Sequence, residues 1–263
     1  MYVPPYGYRP PPYYQPPTYY QPPDVFLPEK REIRSRSNQI GLASIGFFVV
    51  SAVTPMLFTM LLSIFGYPFN GSAEFSYLTP ELYFLMIGAV YCLSLFLPFL
   101  ILIKAAHVPL AEVLPIHKAK FGVCAGCVFL GVAACMLSNI PANLVANFLR
   151  EIGFSGQSPS YPATDSLAGN ILYFIIIAIV PPLFEEFVFR GVILGRLRRY
   201  GDGFAILASS LLFGLFHGNF IQIPFAFFVG LVLGFVVVRT NNLWVAVAIH
   251  FINNAFAVSM EFI

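Results

Sequence analysis

Seven apolar runs with short polar breaks between them occupy the chain from about residue 40 onward, at roughly 40–65, 82–103, 121–148, 169–190, 204–221, 222–238 and 243–262. Each of the first four is long enough to cross about 30 Å of hydrocarbon at about 1.5 Å per residue in an α-helix. In lipid the backbone must satisfy its own hydrogen bonds, and runs of this length do so as helices. Only the region around Gln222 and Pro224 separates the fifth run from the sixth, so that border is soft. The pattern predicts an all-α, polytopic membrane protein of about seven transmembrane helices.

Composition agrees with lipid as the main solvent. The chain of 263 residues is 58% hydrophobic and 10% charged, against about 25% charged in soluble domains. Its formal net charge of +2 is too small to argue for nucleic acid, so the bilayer is the expected partner. Cys92, Cys124, Cys127 and Cys135 all fall in apolar runs, which argues against a disulfide framework. The Cys124/Cys127 pair has no second pair beside it, and small packed helix residues are the better reading.

The first 28 residues are rich in Pro, Tyr and Gln, with Tyr13-Tyr14-Gln15-Pro16-Pro17 repeated at 19–23. Pro this dense favours an extended polyproline-like tether over a core. Two stretches, at 10–13 and 16–19, match the Pro-Pro-x-Tyr ligand of WW domains, although a plain spacer is the simpler reading. A basic collar follows, Lys30, Arg31, Arg34 and Arg36.

Charge also orients the chain. The collar, the loop with Lys104, His107, His117, Lys118 and Lys120, the run Arg196 to Arg199, and Arg239 all fall on one side. Opposite loops carry Glu74 and Glu81, or Arg150, Glu151 and Asp165, with no basic excess. The positive-inside rule then predicts a cytoplasmic N-terminus. It puts the glycosylation-like triplet Asn70-Gly71-Ser72 outside, where it means nothing in a bacterium.

Candidate chemistry lies inside the last runs. The fourth holds Glu185, Glu186 and Arg190. One charge at the bilayer centre costs about 3 kcal/mol on insertion scales, so three this close belong in a bundle interior or beside a water-filled cavity. Glu186 and Arg190, at i and i+4, lie about 40° apart on one face and can neutralise each other. Glu185 points about 100° away and lacks that partner. The expected division is a structural Glu186–Arg190 pair and Glu185 as a free base, the alternative being that both glutamates only lock helices together.

Phe213 and His217 share a face in the fifth run, and His250 shares one with Asn254 in the seventh, with Asn253 close by. Singly these read as packed or hydrogen-bonded groups, but together they bring two histidines to the spans beside the glutamates. Residue counts from the loops place Glu185 and His250 toward the cytoplasmic half and His217 about 20 Å beyond Phe204. Convergence therefore requires the fifth helix to start below the hydrocarbon or to tilt.

Glu-Glu-x-x-x-Arg at 185–190, Phe-x-x-x-His at 213–217 and His-x-x-x-Asn at 250–254, in that order, resemble the CAAX prenyl endopeptidase and bacteriocin-processing (CPBP, Abi) family of intramembrane proteases. The resemblance covers residues 165–263. It implies a four-helix catalytic core there, preceded by helices one to three over 37–164 and by the tail and collar over 1–36. It further implies hydrolysis of a peptide bond in a peptide or membrane-protein substrate, near the cytoplasmic face of, by expectation, a bacterial plasma membrane. Carried over by motif, Glu185 and His217 would activate water, His250 and Asn254 would steady the oxyanion, and Glu186 and Arg190 would brace the site.

The family is often labelled metalloprotease, and Glu185, His217 and His250 would form a His₂Glu set of the kind catalytic zinc uses. The His-Glu-x-x-His helix is absent, however, and glutamate-activated water without metal explains the same residues and is preferred. Two other classes compete. A catalytically silent peptide-binding or bacteriocin-immunity membrane protein is disfavoured by the intact motifs. An ion-coupled transporter would use buried Glu and His too, but no internal two-half symmetry is visible.

Overall fold

A computed structural model describes residues 26–68, 75, 77–118, 120–154 and 161–261; the Pro/Tyr-rich segment up to residue 25 and the Asn70 triplet lie outside them. Among the described residues the chain is all-helical apart from one isolated antiparallel bridge, Ile116 to Asn242.

Six helical stretches are long and apolar enough to cross a membrane: Leu27–Ile64, Pro80–Ala105, Phe121–Glu151, Leu167–Tyr200, Ile223–Thr240 and Leu243–Glu261. We name the first two α1 and α2. The third is α4 (Phe121–Leu137) continued by α5 (Asn139–Glu151), and the last two are α10 and α11. The short α3 (Leu110–Val113) lies between α2 and α4. The break at Ser138 has a local cause: Pro141 has no N–H to give the Leu137 carbonyl.

The fourth stretch, Leu167–Tyr200, is one rod with α6 (Leu167–Phe174) at its start and α7 (Val180–Glu186) at its centre. A short α8 (Gly195–Leu197) comes near its end. Wider π-helical turns flank α7 at Ile175–Ile179 and Phe187–Leu194. Ser166 caps the start, accepting from the Gly169 N–H at 2.9 Å.

The fifth predicted span is a difference. Here α9 (Asp202–Phe216) has 15 residues, about 22 Å, too short to cross alone. A turn over 217–222, with Gly218 at φ +63°, reverses the chain into α10, whose first turn accepts Pro224. The soft border in the sequence is thus the tip of a helical hairpin, with His217, Gly218 and Phe220 exposed.

One end of the molecule gathers the basic loops. Arg36 bonds Glu112 at 2.6 Å, Arg199 bonds Glu32 at 2.6 Å, Arg198 bonds Asn241 at 2.8 Å, and Arg196 reaches Gln39. The loop after α2 folds back there: α3 lies so close to the rod that a Cβ at Gly191 or Gly195 would overlap the carbonyl oxygens of Val113 or Glu112. The far end is tied by Ser166 to Glu81 and by Tyr173 to Glu261. A large apolar core, with Leu95, Phe99, Val188, Ile193, Phe213, Leu233 and Ile249, fills the basic-end half. A smaller one around Phe84, Tyr173, Ala178 and Val258 fills the far half.

Candidate active site

Between the two cores lies a cavity of about 620 Å³, and polar side chains from four spans reach it. The rod supplies Glu185 and Glu186 at the end of α7. Glu186 and Arg190 form the expected pair, 2.9 Å apart, both wholly buried. Arg190 also donates to the Gly230 carbonyl at 3.2 Å and lies over the Phe213 ring, 4.3 Å from its centre. A buried guanidinium thus has a carboxylate, a carbonyl and an aromatic face around it, which is what makes its burial tolerable.

His250 contributes what the sequence did not reveal. Its Nδ1 is 2.9 Å from the same Glu186 oxygen that receives Arg190. With Nδ1–H committed to Glu186, only Nε2 faces the cavity side, 3.6 Å from Glu185 Oε2. The supposed brace and the supposed oxyanion group are therefore one connected network.

Glu185 is not the partnerless carboxylate the helix geometry suggested. The phenol of Tyr91, on α2, donates to its Oε1. Its Oε2 is buried and has no hydrogen bond among the described residues. Periodicity inside the rod could not reveal Tyr91, because the contact joins residues 94 apart on different spans.

His217 follows α9 and its Nδ1 contacts the Phe213 carbonyl at 2.8 Å. Donation from Nδ1 leaves Nε2 with a lone pair in the neutral ring. Phe213 touches His217 and His250 edge-on, at 5.1 and 5.8 Å between ring centres, so one aromatic ring spaces both histidines and Arg190.

Asn254 is placed by a gap in the rod. Pro181 and Pro182 lack the N–H groups that an α- or π-turn would bring to the Ile177 carbonyl. The Asn254 amide donates to that carbonyl instead, at 3.2 Å. Asn253 also lines the cavity, 3.4 Å from the Asn254 oxygen.

All six candidate residues thus come together: Glu185, His217, His250 and Asn254 on the cavity wall, Glu186 and Arg190 behind it. The depth mismatch counted from the sequence disappears. Glu185 lies 15 residues before Tyr200 (200 − 185) and His217 lies 16 after Gly201 (217 − 201), so both rise about equally from the basic end. Among the described residues no three His, Cys, Asp or Glu side chains are grouped to hold a metal ion. Glu185 and His250 approach each other to 3.6 Å, and His217 lines the same cavity. At the mouth, burial pushes the Tyr161 phenol up to about 12, so it stays neutral.

Residues 167–256 match the family described as type II CAAX prenyl endopeptidase Rce1-like. The membrane-embedded CAAX protease MroQ of Staphylococcus aureus (strain USA300) is 36% identical over 143 residues, covering 50% of this chain. That match spans 56% of MroQ, a little over half its length. The putative membrane peptidase YdiL of Bacillus subtilis (strain 168) is 24% identical over 221 residues, 82% of this chain and 88% of YdiL. No solved structure matches. The matched segment carries Glu185, Glu186, Arg190, His217, His250 and Asn254, and over it the chain is similar to the Rce1-like CAAX endopeptidase family.

Proposed function

We propose that this protein is an intramembrane endopeptidase in which Glu185, assisted by His217, activates water for attack on a peptide carbonyl. One observation carries the reading: a buried carboxylate has one oxygen fixed by Tyr91 and the other without a hydrogen bond, on the wall of a cavity shared with His217 and His250. Glu185 Oε2 takes a proton from water while His217 Nε2 accepts a second hydrogen bond from it. The resulting hydroxide adds to the carbonyl carbon, and Glu185 returns the proton to the leaving amine as the carbon–nitrogen bond breaks.

Charge developing on the carbonyl oxygen meets donors already in place. Asn254 commits one amide hydrogen to Ile177 and keeps a second, since a primary amide has two. His250 donates from Nε2 in its imidazolium form, with Nδ1–H held by Glu186. Glu186 and Arg190 hold His250 in position rather than touching substrate. Preorganised donors are worth most where water is excluded.

Glu185→Gln should fold, abolish turnover and retain substrates for capture, with the trapped peptides read by mass spectrometry. Asn254→Ala should lower kcat about 10²–10³-fold with KM nearly unchanged, as for loss of one oxyanion donor. Wild-type turnover by Glu185→Gln, or zinc-dependent rescue after chelation, would overturn the scheme. Trapped peptides that wild-type protein never cleaves would move the reading to a silent binder.

A further inference from the structure

Arg196 is buried at the basic end without a counter-charge. It is 5% exposed and donates to the Gln39 amide oxygen, while its Nε is buried with no hydrogen bond among the described residues. Nor does it form an ion pair among them, because the carboxylates nearby are taken. Glu112 holds Arg36 at 2.6 Å, and Glu32 is shared between Arg36 and Arg199, at 3.3 and 2.6 Å. A buried charge in that condition is costly, and an anion from outside the chain would relieve the cost.

Space for an anion lies beside it. Arg196 lines a pocket of about 380 Å³ with Ser35, Arg36, Gln39, Glu112 and the exposed His107. Guanidinium forks match the oxygens of a phosphate group. Gln39 and Ala106, at the edge of this pocket, also line a groove of about 500 Å³ between α1 and α2. Its walls are Leu42, Gly46 and Val49 on α1 and Pro98, Ile101 and Ala105 on α2; Leu42, Val49 and Ile101 are exposed along it. From Gln39 to Val50 α1 rises about 16 Å, close to half of a hydrocarbon core about 30 Å thick. A polar pocket thus continues into an apolar groove as deep as one leaflet.

We propose that this pair of cavities binds one anionic phospholipid of the leaflet at the basic end. Its phosphate lies on Arg196 and Arg36, and an acyl chain lies along the groove between α1 and α2. Charge selects the headgroup, since a zwitterionic lipid would bring a cation toward two arginines. A soluble anion would leave the groove unfilled. The bound headgroup joins α1 to the last turns of the rod, the end against which α3 packs. Neither cavity shares a lining residue with the one beside Glu185, so the proposal stands apart from the protease reading.

In the test, the full chain is delipidated in detergent, checked to be monodisperse, and titrated with phosphatidylglycerol or phosphatidylcholine. Bound lipid is counted by native mass spectrometry, beside the thermal midpoint. Wild type should retain one phosphatidylglycerol about tenfold more tightly than phosphatidylcholine, as for one hydrogen bond to a charged group. Its midpoint should rise with phosphatidylglycerol. Arg196→Gln should erase the preference, and Arg196→Lys should keep part of it. Ala105→Phe fills the exposed groove wall without altering charge, so it should weaken retention even if Arg196→Gln fails to fold. Equal retention of the two lipids by wild type would overturn the proposal, as would an undiminished preference in Arg196→Gln. Undiminished phosphatidylglycerol retention in Ala105→Phe would also overturn it. An equal midpoint rise from inorganic phosphate or glycerol phosphate alone would assign the pocket to a free anion and sink the lipid site. None of these readouts needs turnover.

Discussion

Two adjacent glutamates in one helix meet different neighbours, and the proposed mechanism gives them opposite jobs. Glu186 gives a single oxygen to both Arg190 and His250 and has no exposure at all. Removing one partner of a buried pair typically costs about 3–5 kcal/mol, because the other charge is left without compensation. Glu186→Gln should therefore lower the thermal midpoint in detergent strongly, while Glu185→Gln leaves it close to wild type. Equal midpoints for the two variants would contradict the division of roles. Tyr91 offers a finer probe. Its hydroxyl bonds the Glu185 carboxylate, and hydrogen bonds to charged groups contribute about 1.5–3 kcal/mol. Tyr91→Phe keeps the ring and loses the donor, so kcat should fall about tenfold to a hundredfold with KM unchanged. A rise in KM alone would mean that Tyr91 only shapes the pocket.

The elements were legible where a signal is local. Long apolar runs gave the spans, and the i, i+4 spacing gave the Glu186–Arg190 pair, because both depend on near neighbours in sequence. The π-turns around α7 were not legible, although Pro181 and Pro182 are a visible reason for the freed Ile177 carbonyl that Asn254 fills. Tyr91 on Glu185 and His250 on Glu186 join spans 94 and 64 residues apart. Hydropathy says that such spans exist but not which face meets which. The fold-back of α3 was equally hidden, since Gly191 and Gly195 look like ordinary small residues in an apolar run. They admit the Val113 and Glu112 carbonyls against the rod. Gly191→Val should push that loop off the rod directly below Arg190. Overpacking of this kind costs about 1–3 kcal/mol, so the midpoint should fall, whereas Gly126→Val, in open space on α4, should leave it unchanged.

At the scale of the whole molecule, the direction of the chain through the membrane decides what the site can reach. Four basic loops converge at one end and are tied by Arg36–Glu112, Arg199–Glu32 and Arg198–Asn241. Those contacts neutralise only part of the charge, leaving Arg31, Arg34, Lys104, Lys118, Lys120 and Arg239 for the anionic leaflet surface. The N-terminal segment precedes this end, so it should lie in the cytoplasm with its Pro-Pro-x-Tyr stretches. In a chain without native cysteines, Tyr20→Cys should escape an impermeant label in intact cells and Ser76→Cys should react. Moving charge gives a stricter version of the same test. Replacing Lys30, Arg31 and Arg34 by glutamine weakens one loop of four, and the labelling pattern should hold, because Arg196 to Arg199 and the loop after α2 still vote for the same side. Inversion by those three substitutions alone would mean that the collar sets the orientation by itself. Labelling of Tyr20→Cys in the unaltered background would instead turn the whole bundle over. Every distance around Glu185 would be unchanged, and only the membrane face that carries the basic loops would differ.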